Sequence, residues 1–157
     1  MTSNIVAAVL IVVLMLGLGG LMTEVGDWYR ALRKPPWNPP NWLFGPAWIV
    51  ILSLAGWSGV LAWTDAQGLG EHLRLSVMFG ATVFLHLLWS PLFFKLKRPD
   101  LSLMEIPFLW LSILATIVGV VTISGFAAWL LLPYLAWVAF ATRLNLAIVR
   151  LNAPFEP

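Results

Sequence analysis

The sequence predicts an all-α integral membrane protein, a five-transmembrane-helix bundle, and three observations carry that expectation. Of 157 residues, 61% are hydrophobic and only 10% are charged, with a mean hydropathy of +0.90; soluble domains carry roughly a quarter charged residues. Five uncharged or nearly uncharged runs, at about 4–22, 43–63, 75–94, 101–123 and 126–151, each reach the roughly 20 residues that cross about 30 Å of hydrocarbon. The basic residues also sort by side. An odd number of spans puts the N-terminus, the loop near 65–74 and the Ser124-Gly125 turn together, with Arg74 alone. The opposite side receives Arg30, Arg33, Lys34, Lys95, Lys97, Arg98 and Arg150. Because lysine and arginine collect in cytoplasmic loops, the N-terminus is expected outside, with the first loop and the C-terminus cytoplasmic.

The first run has no lysine or arginine ahead of it and no cleavage site after it, so it reads as a span and not as a signal peptide. Next comes the stretch that sets this chain apart, a Trp/Pro-rich loop over 24–42. With the start of the second span it holds Trp28, Trp37, Trp42 and Trp48, and Pro35, Pro36, Pro39, Pro40 and Pro46. Proline fixes φ and removes donors, so paired prolines make a pre-shaped path. Such a segment suits a lid over a cavity, or an interfacial aromatic belt that seats the helices. The remaining connections are short, and Ser124-Gly125 forces the last two helices to be antiparallel neighbours. Small residues recur at helix-packing spacing (Gly17, Gly19 and Gly20, Ala55 and Gly59, Ser76 and Gly80, Ala115 and Gly119) and permit close backbone approach within a bundle or between protomers. The whole chain, 1–157, reads as one transmembrane domain, multi-pass, in a bacterial cell membrane.

Several function classes drop out at this stage. The absence of cysteine excludes disulfides, thiolate metal sites and a cysteine nucleophile. A net charge of +2 reports topology here and implies no nucleic acid. No catalytic constellation emerges: there is no HExxH, no phosphate-cradling glycine loop and no Ser/His/Asp order. No metal site is expected.

Polar residues inside spans are costly and therefore informative. Four stand out: His86, Glu105, Arg143 and Asn145. His86 lies eleven residues beyond Leu75, about 16 Å down and near the midplane. It is a candidate haem ligand, a proton-transfer group, a hydrogen-bond donor to a ligand, or a packed histidine. Glu105 and Arg143 lie on neighbouring spans in the inner leaflet, where an ion pair would explain both; the alternative is an arginine that snorkels alone. On the fifth span Tyr134, Trp137, Ala141, Leu144 and Asn145 share a helical face. Trp137 falls near the depth of His86, and Trp48 and Trp89 fall in the inner leaflet. Small Ala141, one turn from Trp137, leaves room beside it. The result is either an aromatic chamber for a flat apolar molecule or a plain packed core.

Three segments resemble the tryptophan-rich sensory protein family, the TspO/translocator protein group also called the peripheral-type benzodiazepine receptor family. They are WYRALRKPPWNPPNWLFGPAW (28–48), LLWSPLFFKLKR (87–98) and AAWLLLPYLAWVAFATRLN (127–145). The resemblance covers nearly the whole chain. It implies five transmembrane helices, commonly a homodimer, and a pocket for porphyrins, haem and synthetic isoquinoline-type ligands that the first loop closes. The family's ligand-contacting positions fall on Trp28, Tyr29, Trp37, Trp48, Trp137, Ala141 and Asn145. His86 stands where many members have asparagine, and Arg143 where relatives carry a small or neutral residue. The sterol-recognition pattern lacks its aromatic between Leu144 and Arg150, so cholesterol binding there is not implied.

The expected function is a membrane tetrapyrrole-binding sensor or regulator. Porphyrin or haem would stack on Trp48 and Trp137, its propionates would meet basic side chains near the loop, and no cofactor would be obligatory. The expected ligand-binding residues are Trp28, Tyr29, Trp37, Trp48, His86, Trp89, Trp137, Ala141 and Asn145. Two alternatives stand beside it: photo-oxidative porphyrin degradation with Trp48 and Trp137 as redox partners, which leaves open whether this is an enzyme, and a tetrapyrrole or lipid carrier.

Overall fold

The computed structural model describes residues 1–155. The chain forms α1 (Thr2–Met22), α2 (Asp27–Ala31), α3 (Asn41–Asp65), α4 (Gly68–Ser90), α5 (Pro99–Val121), α6 (Gly125–Trp129) and α7 (Leu132–Asn152), with no strand among the described residues. A π-helical turn, Pro91–Lys95, extends α4. Five segments are long and apolar enough to cross a membrane: α1, α3, α4 with its π turn, α5, and α6–α7 together. The protein is a multi-pass integral membrane protein.

Sequence and structure part at two places, each for a local reason. The third span begins at Gly68, seven residues earlier than apolar length alone suggests. Glu71 Oε2 accepts from the Gln67 N–H at 2.7 Å, and Arg74 donates to Thr122 Oγ1 at 3.1 Å. Charges in the first turns of a helix thus find partners beyond the hydrocarbon. The last span is two helices because Pro133 has no N–H to return to Trp129. The chain turns at Leu130-Leu131, and the Leu131 carbonyl accepts from both Tyr134 and Leu135 at 3.1 Å. Pro46 and Pro107 sit inside unbroken helices.

α5 is the most buried helix and lies between α4 and α7. α1 packs on α3, buries only Met15, and presents Val6, Leu10, Val13 and Leu14 outward. The two helices approach closely at Gly56, where an added Cβ would lie 2.8 Å from Val12 Cγ2. Thr82 Oγ1 lies 3.2 Å from both Ser112 Oγ and Thr116 Oγ1, so hydroxyls join α4 to α5 where no water competes. One end of the bundle gathers the first loop, the 96–98 connection and the end of α7; it is called the lid end below. The other gathers the N-terminus, Ala66-Gln67 and residues 122–124, the far end.

Candidate functional site

A cavity of about 490 Å³ occupies the lid half, walled by α1, α3, α4 with its π turn, α5 and α7. Each wall follows from local sequence. α1 contributes Gly19 and Gly20, whose missing side chains leave space. α7 contributes Trp137, Val138, Ala141 and Asn145 at helical spacing, with Ala141 opening the room that its small size foretells. Pro91 cannot donate to Leu87, and the turn widens so that the Leu96 N–H reaches the Pro91 carbonyl at 2.9 Å. Adjacent Phe93 and Phe94 are consequently both buried, and both face the cavity.

The aromatic geometry is a corner. Trp48 meets His86 edge-on (centroids 4.8 Å, 81°), Tyr134 (6.0 Å, 86°) and Trp137 (6.2 Å, 82°). Such T-shaped contacts set a positive ring edge against a negative face. On the opposite wall Trp89 stacks on Phe93 at 5.0 Å and 27°. The corner corrects one expectation: indoles at 82° cannot both stack on one flat ligand. A planar guest faces one of them and abuts the edge of the other.

The polar groups divide into committed and uncommitted. His86 Nδ1 lies 2.8 Å from Tyr134 Oη. That bond fixes the ring's orientation, and His86 lines the cavity. Trp89 Nε1 is buried without a partner in the cavity wall. Asn145, by contrast, is committed. In the amide orientation that satisfies both ends, Nδ2 donates to the Pro99 carbonyl at 3.1 Å and Oδ1 accepts from Ser102 Oγ at 2.8 Å. It ties α7 to α5 and presents only its flank to the cavity.

The lid is held at three points. The Arg33 N–H donates to Asn152 Oδ1 and Asn152 Nδ2 donates to the Arg33 carbonyl, both at 2.8 Å. Lys95 pairs with Glu24 at 3.2 Å. Tyr29, buried on α2, packs on Phe94 (5.5 Å) and Phe93 (6.3 Å) and forms part of the cavity lining. Burial pushes its phenol above the usual tyrosine range, so the hydroxyl stays neutral. Lys34 lies over the Tyr29 ring, 4.2 Å from its centroid, and donates to the Tyr29 carbonyl.

Of the nine expected site residues, the structure brings Tyr29, Trp48, His86, Trp89, Trp137, Ala141 and Asn145 to this cavity. Trp28 and Trp37 stand outside its wall. Trp28 packs edge-on to Phe93 at 6.0 Å, and Trp37, about half exposed, packs on Phe140 at 6.0 Å. Through them the lid packs on the π turn and on α7. The expected Glu105–Arg143 pair does not form. Arg143 is exposed, while both Glu105 carboxylate oxygens are buried with no hydrogen-bond partner. Arg143 and Asn145 lie about 200° apart on one helix, and Asn145 is the residue turned toward α5. Phe44, Phe93, Phe94 and the Asn152 clamp went unanticipated; Pro91 within an apolar run was the available sign of the π turn. Among the described residues no group of three or more His, Cys, Asp or Glu is placed to hold a metal ion.

The sequence profile described as the TspO/MBR family matches residues 7–151. The chain is 40% identical over 152 residues to the tryptophan-rich protein TspO of Archaeoglobus fulgidus, covering 96% of this chain and 97% of that one. It is 35% identical over 126 residues to the translocator protein of Homo sapiens (80% and 75% covered). To the tryptophan-rich sensory protein of Cereibacter sphaeroides it is 33% identical over 133 residues (85% and 82% covered).

Proposed function

From the premise that the chain belongs to the TspO/MBR family, we propose that it is a membrane tetrapyrrole-binding sensor or regulator whose lid-end cavity takes a porphyrin or haem. The observation that carries this reading is the cavity itself. Its volume of about 490 Å³ falls in the range of small-molecule sites, and its walls are indole, imidazole and phenyl rings. A planar macrocycle lying face-on to one member of the Trp48–Trp137 pair and edge-on to the other satisfies both ring quadrupoles. The residues present also fit an iron porphyrin. Tyr134 holds Nδ1 of His86 and leaves Nε2 as the nitrogen to meet the metal. Arg30 and Arg33, both exposed on the lid, supply guanidinium partners for peripheral carboxylates.

The test is titration of the purified protein with protoporphyrin IX and with haem, following tryptophan quenching and the Soret band. Saturation at one pigment per chain is expected, weakened at least tenfold in Trp137→Ala and unchanged in Trp129→Ala, whose indole is exposed on α6. Equal affinity in both variants would remove the pigment from this cavity.

A further inference from the structure

A second cavity lies in the far half of the bundle, among α1, α3 and α4, and its chemistry differs from that of the first. It measures about 310 Å³ and runs along α1 from Asn4 to Met15 and along α3 from Leu52 to Trp63. Each of those stretches is twelve residues, whose eleven rises span about 16 Å of helix. The hollow is long for its volume, and a reach of about 16 Å along two helices suits an extended hydrocarbon chain. No charged side chain lines it among the described residues, and its lining surface is overwhelmingly apolar. Ala7, Ile11 and Ser76, which line it, are exposed on the bundle's surface, so it opens sideways between α1 and α4 into the hydrocarbon. Trp63 and Asn4 stand at its outer end, where indole and amide suit the headgroup level. Its inner end meets Tyr134, and Met15 and Leu52 line both cavities.

We propose that this slot is a binding site for one acyl chain of a membrane lipid or fatty acid, held with its polar end near Trp63 and Asn4 and its tip against Tyr134. Length, absence of charge and a lateral mouth in the hydrocarbon together select that class. The small residues of α1 and α3 create the space. A Cβ added at Gly59 would rest 3.8 Å from the Phe79 ring, an ordinary contact, so a leucine there fits the backbone while its branches fill the slot.

The full-length protein, released from detergent micelles, is examined by native mass spectrometry with deuterated palmitic acid in one arm and a palmitoyl-oleoyl phosphatidylglycerol in the other. One retained adduct per chain is expected, with occupancy falling at least tenfold in both Gly59→Leu and Ala7→Phe while their thermal unfolding midpoints stay at the parent value. Retention of palmitic acid alone identifies a fatty-acid site, and retention of the phospholipid identifies a site for one of its chains; either outcome supports the assignment. No retained adduct, equal occupancy in the filled variants, or an adduct carried only by a dimer would overturn it. Pigment titration is independent of this readout, so failure of one reading leaves the other to be judged separately.

Discussion

The two halves of this bundle are built from the same five spans and do opposite things with their interior. The lid half is aromatic, and its first loop is tied down through Asn152 and Glu24. The far half is apolar, with hydroxyls that bond to one another at Thr82, Ser112 and Thr116 and a slot open to lipid. The difference is one of access. The lid-half cavity lies beneath the first loop and the end of α7. The far-half slot opens sideways between α1 and α4. Because Met15 and Leu52 serve both cavities, what divides them is thin.

The largest expected effect tests whether aromatic character belongs to one half alone. Trp48→Ala removes the ring at the centre of the corner and should weaken protoporphyrin binding about 30-fold, in keeping with the 2 kcal/mol or more typical of buried tryptophan anchors. Trp63→Ala, in the slot, should leave it unchanged. Equal losses would mean that the two cavities act as one. Next comes a pair of glycines. Gly56→Ala drives a Cβ into Val12 and should destabilise by about 1–3 kcal/mol, as overpacking does. Gly45→Ala in the lid half meets nothing within 4 Å and should be neutral or gain up to about 1 kcal/mol from helix propensity. Thermal unfolding in a fixed detergent compares them.

Glu105 provides a third, smaller contrast. Its carboxyl is buried and unpartnered, and an unmet buried polar group costs about 1–3 kcal/mol. Glu105→Leu should therefore raise the unfolding midpoint, by the few degrees that about 1 kcal/mol represents. A fall in stability would show that the carboxyl has a partner. The smallest effect belongs to the clamp: Asn152→Ala removes two exposed hydrogen bonds to Arg33, together worth about 1 kcal/mol. Limited proteolysis should cut the 32–40 segment sooner, and pigment should leave faster with little change in global stability. Unaltered release would place the gate elsewhere.

Much of this architecture was legible residue by residue. Hydrocarbon thickness sets the length of an apolar run, so five spans could be counted without coordinates. The face shared by Tyr134, Trp137, Ala141 and Asn145 followed from helical spacing, and three of the four line the lid-end cavity while Tyr134 orients His86 from the slot. The expected pairing of Arg143 with Glu105 failed on the same helix geometry, because a helix that turns Asn145 inward turns Arg143 out. The lid aromatics were harder. Tryptophan and proline announce a stiff segment, but whether Trp37 looks inward or onto Phe140 depends on where the chain crosses the end of α7.

By itself, then, the sequence determined the spans, their antiparallel order, the sorting of charge and the aromatic stock of one end, since each depends on local hydropathy or on fixed helical geometry. Tertiary structure alone decided that Trp48 and Trp137 stand nearly perpendicular, that Asn145 is committed to α5, that Glu105 goes unpaired and that a second, smaller hollow exists. Those outcomes depend on how helices rotate and approach one another. That rotation is fixed by contacts between residues far apart in the chain, such as Gly56 with Val12 and Tyr134 with His86, and no single stretch of sequence contains both partners.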